Sequence, residues 1–287
     1  MKEIARMLCP PLLWNFAHAV KQRIGRKGGG SSTPDSSWSP GFHGAIASWD
    51  EAVAISDGWE SNEITERTLS SALSVRDGHA EFAQDTVIMS KIRYSDTILA
   101  FLLLHLSVNK NRIDFIDFGG SLGTNYFQNR KLLANLSHTA VCWRVVERQA
   151  LVDLGREHFA TNELSFFATL EEARQGCVGD SYLFSGSLQY VSTPLALVDK
   201  IIANGAKLIA FDRILTSPSQ SHAVFVQAPD PKSIYSATYP VWCFSKDALI
   251  QHLVSKGFDL VEHFTPNPDV EFNHSGMVFS LRNSTPI

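Results

Sequence analysis

The 287-residue chain has few cysteines and lacks a long apolar run. Its four cysteines are far apart and form no C-x-x-C pair, so neither a zinc knuckle nor a disulfide framework is indicated. Reduced thiols in a cytosolic protein are the expected state, and no metal site is predicted. The longest apolar run, residues 98–104, is far shorter than the roughly 20 residues of a membrane span and predicts a buried helix.

The net charge of the chain is also small, with a formal value of -4. Charges of both signs are dispersed, so the Lys/Arg-rich face that nucleic acid requires is missing. Residues 1–26 mix apolar side chains with lysine and arginine, which permits peripheral membrane contact, whereas Pro10 and Pro11 favour a segment packed on the domain or a partner. We expect a cytoplasmic protein, with membrane association through this segment as the alternative. The sequence leaves the oligomeric state open.

The composition predicts three regions along the chain. Residues 27–41 have the Gly, Ser and Pro content of a flexible connector, so residues 1–41 are taken as an N-terminal segment and linker. Residues 42–110 read as a helical region, because apolar residues between 48 and 106 recur at roughly helical spacing. No strand is expected before Arg112. Residues 111–287 form the third region.

This third region alternates short apolar runs with helical segments, the pattern of βα units around a parallel sheet. Five strands are predicted at residues 113–118, 141–146, 164–167, 182–185 and 208–211. Crossover helices are predicted at residues 125–136, 149–158, 170–175 and 195–204. A further helix at 246–256 precedes strands 260–264 and 277–281, which should pair antiparallel. The predicted fold class is α/β, with a mostly parallel sheet, an antiparallel last strand and a helical N-terminal extension.

A glycine-rich turn follows the first strand and precedes a predicted helix. The strand ends near Asp117, and the chain continues as Phe118-Gly119-Gly120-Ser121-Leu122-Gly123. In open α/β sheets ligands bind beyond the carboxyl ends of the strands, where glycines let the backbone approach them closely. Glu147 ends the second strand, about 20 residues past Gly123, where a carboxylate can accept both ribose hydroxyls of an adenosine. The two features together predict a nucleoside site.

The turn favours S-adenosylmethionine over a dinucleotide. A dinucleotide fingerprint needs G-x-G-x-x-G, and Phe118 stands where its first glycine should be. S-adenosylmethionine has no phosphate but carries cationic groups. The acidic Asp117 would attract these cations and would repel an anion.

Residues 112–281 resemble class I S-adenosylmethionine-dependent methyltransferases, and they resemble more closely a methyltransferase family encoded among polysaccharide and surface-antigen biosynthesis genes. The pattern acidic-x-Gly-x-Gly-x-Gly is matched at Asp117, Gly119 and Gly123, whereas Ser121 replaces the middle glycine. The other resembling stretches are residues 143–147 (WRVVE), 183–190 (LFSGSLQY), 276–279 (GMVF), 42–44 (FHG) and 48–52 (SWDEA).

The resemblance implies a Rossmann-like sheet and a set of cofactor contacts. Glu147 would hold the ribose. The segment from Ser185 to Tyr190 would lie next to the transferring methyl. Phe167 and Ala168 would lie near the adenine, although Phe167 could equally belong to the core. The residues that would border the methionine end are Asp117, Gly119, Gly120, Ser121 and Gly123.

The implied reaction is O-methylation of a sugar or glycan-precursor acceptor. Methyl transfer is an in-line displacement on an activated carbon, so the protein mainly positions the acceptor and excludes water. A base would help a hydroxyl acceptor, and the candidates are Asp212, His222 and Tyr190. The alternatives are that His222 is a surface or loop residue and that Asp212 anchors a loop or ion pair.

Two other functions stay open at this point. The turn also reads G-x-S-x-G, so Ser121 could be the nucleophile of a serine hydrolase, with Asp212 and His263 following in the required order. The helical reading of the upstream region and the lack of an H-G-G-G segment argue against it. The other alternative is a protein that binds an adenosine cofactor without catalysing a reaction.

Overall fold

The structure is a computed structural model that describes residues 39–84, 86–109, 112–136, 139–177, 180–230, 234–265 and 272–282. The N-terminal segment for which membrane contact was considered lies outside these residues. The described chain divides into a larger unit, Glu60–Ala223 with Val241–Ile287, and a smaller one, residues 39–59 with Val224–Pro240. In the described part, no helix combines the length and apolar character that crossing a bilayer requires.

The elements follow in chain order. They are β1 (Gly41–Ile46), α1 (Trp49–Ala54), α2 (Asn62–Arg76), β2 (Phe82–Gln84), β3 (Val87–Met89), α3 (Asp96–Asn109), β4 (Arg112–Phe118), α4 (Thr124–Leu133), β5 (Ala140–Val146), α5 (Gln149–His158), β6 (Leu164–Phe167), α6 (Leu170–Arg174), β7 (Ser181–Ser185), a 3-10 turn (Leu188–Tyr190), α7 (Pro194–Ala203), β8 (Leu208–Ser217), β9 (Ala223–Ala228), β10 (Tyr239–Ser245), α8 (Lys246–Ser255), β11 (Phe258–Phe264) and β12 (Asn273–Leu281).

The sheet of the larger unit runs in the order β6-β5-β4-β7-β8-β12-β11. Strands β4 to β8 pair in parallel, and β12 is antiparallel to both β8 and β11. The predicted α/β class, mostly parallel sheet and antiparallel last strand are therefore confirmed. Because β5 lies on one side of β4 and β7 on the other, the strand order reverses at β4. The carboxyl end of β4 is thus the switch point at which such sheets bind ligands.

The sheet is buried on both faces, which explains why its strands read as continuous apolar runs. Phe115 of β4 and Trp143 of β5 belong to one apolar cluster, whereas Ile116 of β4 and Phe184 of β7 belong to another. All four side chains are at most 1% exposed. Each such burial stabilises the fold by about 1.5–3 kcal/mol.

The expectation of no strand before Arg112 is wrong, because β1, β2 and β3 precede it. Strands β2 and β3 have three residues each, which is too short for a period-two pattern to be recognised. The helices expected in this region do occur. The apolar run of residues 98–104 lies in α3, with Ile98 and Phe101 buried but Leu103 70% exposed.

The smaller unit is built on antiparallel pairing of β1 with β9, with Gly41 opposite Ala228. Asp57 accepts hydrogen bonds from the backbone N–H and the hydroxyl of Thr238. The ring of Trp59 stacks on Tyr239 with centroids 3.7 Å apart. Strands β9 and β10 were not expected from the sequence. Only the first two residues of β10 belong to the smaller unit.

Candidate functional site

The glycine turn at the end of β4 has a left-handed backbone at three positions. Gly119, Ser121 and Gly123 have φ of 69°, 52° and 83°. A Cβ at Gly119 would lie 2.5 Å from Ser187 Cβ, and one at Gly123 would lie 2.8 Å from Leu164 Cδ2. The backbone conformation favours glycine at both positions, and at Gly119 the contact with Ser187 Cβ excludes a side chain as well. Ser121 adopts its conformation at a steric cost.

Asp117 lies beneath this turn and is fully buried. Its Oδ2 accepts hydrogen bonds from Trp143 Nε1 at 2.9 Å and from Asn125 Nδ2 at 3.2 Å. Its Oδ1 is buried and has no hydrogen-bond partner among the described residues. A Cβ at Gly120 would lie 2.7 Å from Oδ2, so this glycine rests directly against the carboxylate. Burial raises the pKa of Asp117 to about 6, against the opposing effect of its two donors.

Glu147 follows β5 and contacts the turn directly. Its Oε2 accepts the Ser121 N–H at 3.3 Å, and its Oε1 accepts the Arg148 N–H at 2.9 Å. Burial raises the pKa of this carboxyl, whereas the bond to Arg148 opposes the shift. An ionised carboxylate offers about four acceptor positions, so each oxygen retains acceptor capacity. The turn and the second-strand carboxylate thus meet as the sequence predicted, while their ligand roles stay predictions.

Phe167 and Ala168 lie beside Glu147 at the end of β6. The Phe167 carbonyl accepts the Glu147 N–H at 3.0 Å, and the Ala168 N–H binds Glu172 Oε2 at 3.1 Å. Phe167 is partly buried and packs against the core. Its position suits both interpretations of this residue, a core side chain and a neighbour of an adenine.

The end of β7 joins the ends of β4 and β8. Ser187 donates a hydrogen bond to the Phe118 carbonyl, and Ser185 donates one to Asp212 Oδ2 at 2.6 Å. Tyr190 is half-buried at the end of the 3-10 turn, and its N–H binds the Ser187 carbonyl at 3.0 Å. Ser185 therefore lies at the carboxyl end of β7, next to the switch point, whereas the contact of Ser185 and Tyr190 with a transferring methyl stays a prediction.

Asp212 is an anchor between elements. It is buried, and it accepts hydrogen bonds from Ser95 and Ser185, while Arg213 Nε lies 3.3 Å from its Oδ2. Asp212 and Arg213 form a bulge opposite Gly276, and Arg213 has a left-handed φ of 51°. These contacts favour the anchoring interpretation of Asp212 over the catalytic one.

His222 lies at another junction, between β10 and α8. Its Nδ1 accepts the Ser245 N–H at 3.0 Å, and its ring packs edge-on against Phe244. Burial lowers the pKa of His222, with the nearby His252 adding to the effect, which suits a neutral acceptor ring. Ser245 pairs with Ser217, roughly 16 Å along β8 from Asp212 at about 3.3 Å per residue. The structure therefore does not bring His222 to the glycine turn.

The hydrolase arrangement is not assembled. His263 lies on β11, whose place in the sheet is four strands away from β4, or about 19 Å at roughly 4.8 Å per strand. Its Nε2 lies 3.0 Å from Thr265 Oγ1, while Asp212 binds Ser95, Ser185 and Arg213. In the described part of the chain, neither His263 nor Asp212 is placed to serve Ser121, so the structure gives the hydrolase alternative no support.

Sequence reasoning missed several residues that shape the site. Trp143 and Asn125 bind Asp117, and Ser95 binds Asp212 while its hydroxyl also accepts the Ile98 N–H at the start of α3. A serine just before an apolar helix is a capping signal that could have drawn attention to Ser95. Trp143 and Asn125 carry no local signal of their contact with Asp117.

No family model matches the sequence, and no curated protein does. Several solved structures are similar. The N-terminal domain of EvdMO1, solved with S-adenosylhomocysteine and D-fucose, is 18% identical, with 78% of this chain and 98% of that chain covered and a TM-score of 0.46. The CcbJ methyltransferase from Streptomyces caelestis is 13% identical, with 77% and 99% covered and a TM-score of 0.45. LepI in complex with S-adenosylmethionine is 14% identical, with 63% of this chain covered and a TM-score of 0.43. The chain spans 46% of the length of LepI.

Proposed function

We propose that the chain binds S-adenosylmethionine and transfers its methyl group to a small-molecule acceptor. The observation that carries this proposal is the contact between Glu147 and the Ser121 N–H at the switch point of the sheet. That contact places a carboxylate beside a glycine turn, with a second carboxylate, Asp117, buried beneath it. A nucleoside with a cationic tail matches this distribution of charge.

The residues present fit both ends of the cofactor. Glu147 would accept the ribose hydroxyls through the acceptor capacity that its two backbone bonds leave. Asp117 Oδ1, which is buried and has no hydrogen-bond partner in the part of the chain that the structure describes, suits the ammonium of an amino acid. The carboxylate of Asp117 directly beneath the turn would repel a pyrophosphate, which disfavours a dinucleotide. Phe167 and Ala168 would border the adenine.

When bound, the cofactor supplies an activated methyl carbon. The protein's own task is then to orient the acceptor and exclude water. The segment from Ser185 to Tyr190 borders the switch point and would hold the acceptor. Of the three candidate bases, Asp212 is engaged with Ser95 and Ser185, and His222 lies at the β10–α8 junction. Tyr190, at the end of the 3-10 turn that follows β7, is therefore the candidate base that we propose.

The acceptor we propose is a sugar or glycan-precursor hydroxyl. Its support is the resemblance to the methyltransferase family of polysaccharide and surface-antigen biosynthesis. A cytoplasmic location, with peripheral membrane contact through residues 1–26, belongs to the same proposal, as do the domain boundaries drawn from the sequence.

Calorimetric titration with S-adenosylmethionine and S-adenosylhomocysteine tests the cofactor. We expect micromolar binding that Glu147→Ala weakens by about tenfold or more, because charge-assisted hydrogen bonds are lost. Glu157→Ala is the matched control, since this carboxylate on α5 is 70% exposed. Tight binding of NADH instead would overturn the cofactor assignment.

A turnover assay tests the transfer. Release of S-adenosylhomocysteine is followed with a panel of free sugars and nucleotide-linked sugars, with water as the blank. Turnover with a sugar supports the acceptor class. Binding of S-adenosylmethionine without turnover on any acceptor would favour the non-catalytic binding protein instead.

A further inference from the structure

The carboxylate of Asp117 is held asymmetrically. Both of its hydrogen-bond donors, Trp143 Nε1 and Asn125 Nδ2, bind the same oxygen, Oδ2. The other oxygen is equally buried and accepts no hydrogen bond from the described residues. Buried polar atoms in folded proteins are nearly always paired, so an unpaired carboxylate oxygen at a ligand-binding edge requires an explanation.

The two donors are themselves rigidly placed. Trp143 is fully buried in β5, and its ring packs edge-on against Phe115 with centroids 4.6 Å apart. Asn125 is buried in the first turn of α4, where its backbone carbonyl accepts a hydrogen bond from Asn129. Both side chains are buried and donate to Oδ2, so together they restrain the plane of the carboxylate and the direction of Oδ1.

The donors also act on the charge of Asp117. Burial favours the neutral acid, whereas N–H donors aimed at an oxygen favour the carboxylate. A structural role alone would not need this arrangement, because a neutral amide could accept both donors without a buried charge. Keeping the charge is useful only if a cation approaches Oδ1.

We propose that Trp143 and Asn125 are positioning residues that keep Asp117 ionised and direct its free oxygen to the ammonium of the cofactor's amino-acid end. This inference rests on the proposed function, because it takes S-adenosylmethionine as the ligand.

Two probes separate the ends of the cofactor. S-adenosylhomocysteine carries the amino-acid group, and 5′-methylthioadenosine has the same nucleoside without it. Trp143→Phe keeps an aromatic ring in the core but removes the donor, and Asn125→Leu removes the other donor at similar volume. We expect each variant to bind S-adenosylhomocysteine about tenfold more weakly, because this is the affinity that one charge-assisted hydrogen bond to the ammonium contributes. Each variant should bind 5′-methylthioadenosine as the wild type does. The control is Trp242→Phe, whose indole donates to the Val191 carbonyl instead.

The pH profile gives a second readout, which loss of packing alone would not move. The wild type should lose affinity for S-adenosylhomocysteine relative to 5′-methylthioadenosine below about pH 6, as Asp117 becomes protonated. The ratio of the two affinities cancels the titration of Glu147, which would contact the ribose of both probes. In Trp143→Phe the midpoint of this loss should move to higher pH.

The outcomes are distinguishable. Equal losses for both probes, or an unmoved midpoint in Trp143→Phe and Asn125→Leu, would overturn the positioning role while leaving the proposed cofactor intact. Failure of both probes to bind the wild type would overturn the proposed function and this inference with it.

Discussion

Replacing Asp117 by asparagine should change how the stability of the protein depends on pH. The side chain is fully buried, and its pKa is about 6 in the folded protein against an ordinary value of 3.8. The folded state therefore binds this proton more tightly than the unfolded state, so the wild type loses stability as the pH rises from about 4 to about 6. A difference of about two pKa units corresponds to about 3 kcal/mol, because one unit is worth about 1.4 kcal/mol.

Urea denaturation of both proteins between pH 4 and pH 8 measures this effect. The free energy of unfolding of Asp117→Asn, minus that of the wild type, should increase by up to about 3 kcal/mol from pH 4 to pH 7. Taking the difference cancels titrating groups common to both proteins. A difference that stays flat over this range would refute the argument that Asp117 is a strained buried acid.

Asp77→Asn provides a control of opposite sign. Asp77 is on the surface, and its hydrogen bond with Arg76 lowers the pKa of its carboxyl. That carboxylate contributes stability above its unfolded pKa and loses it in acid, so the difference between variant and wild type should fall, weakly, as the pH rises. Opposite slopes for the two variants would show that Asp117 bears a cost in the free protein, which a cationic ligand would offset.

Three further substitutions test the geometry of the switch point by thermal or urea denaturation. Ser121→Gly should stabilise the protein by up to about 1 kcal/mol, because it relieves a left-handed serine, and a loss of stability would contradict this. Gly123→Ala should cost about 1–3 kcal/mol, because its Cβ would meet Leu164 at 2.8 Å with φ positive, and a neutral result would show that the turn can relax. Ser95→Ala should cost about 1–2 kcal/mol, because α3 loses its cap and Asp212 a donor, whereas no loss would mean that water replaces the hydroxyl.

Periodicity predicted the core of the larger unit well. Residues 149–158 were expected as a helix and form α5, and the strand expected at 164–167 is β6. The antiparallel pair at the C-terminus is β11 and β12. These elements follow their local patterns because each buries an apolar face against neighbours in the same sheet.

The failures have two physical causes. Strands β2 and β3 are too short to show a pattern, and β10 is buried along most of its length, so it lacks the alternation of a half-buried strand. Other features arise only from tertiary packing. Trp143 lies 26 residues from Asp117 in sequence, yet its indole binds the carboxylate, because β4 and β5 pair in parallel. His222 was predicted as a candidate base because the sequence does not show that its ring accepts the Ser245 N–H.

The most direct test of the central claim compares S-adenosylhomocysteine with an analogue that lacks both ribose hydroxyls, in the wild type and in Glu147→Ala. If Glu147 and the glycine turn hold one nucleoside, the wild type should bind the analogue about tenfold or more weakly, and the variant should bind both ligands equally. An equal loss of affinity for the analogue in both proteins would contradict the account, because it would place the ribose away from Glu147.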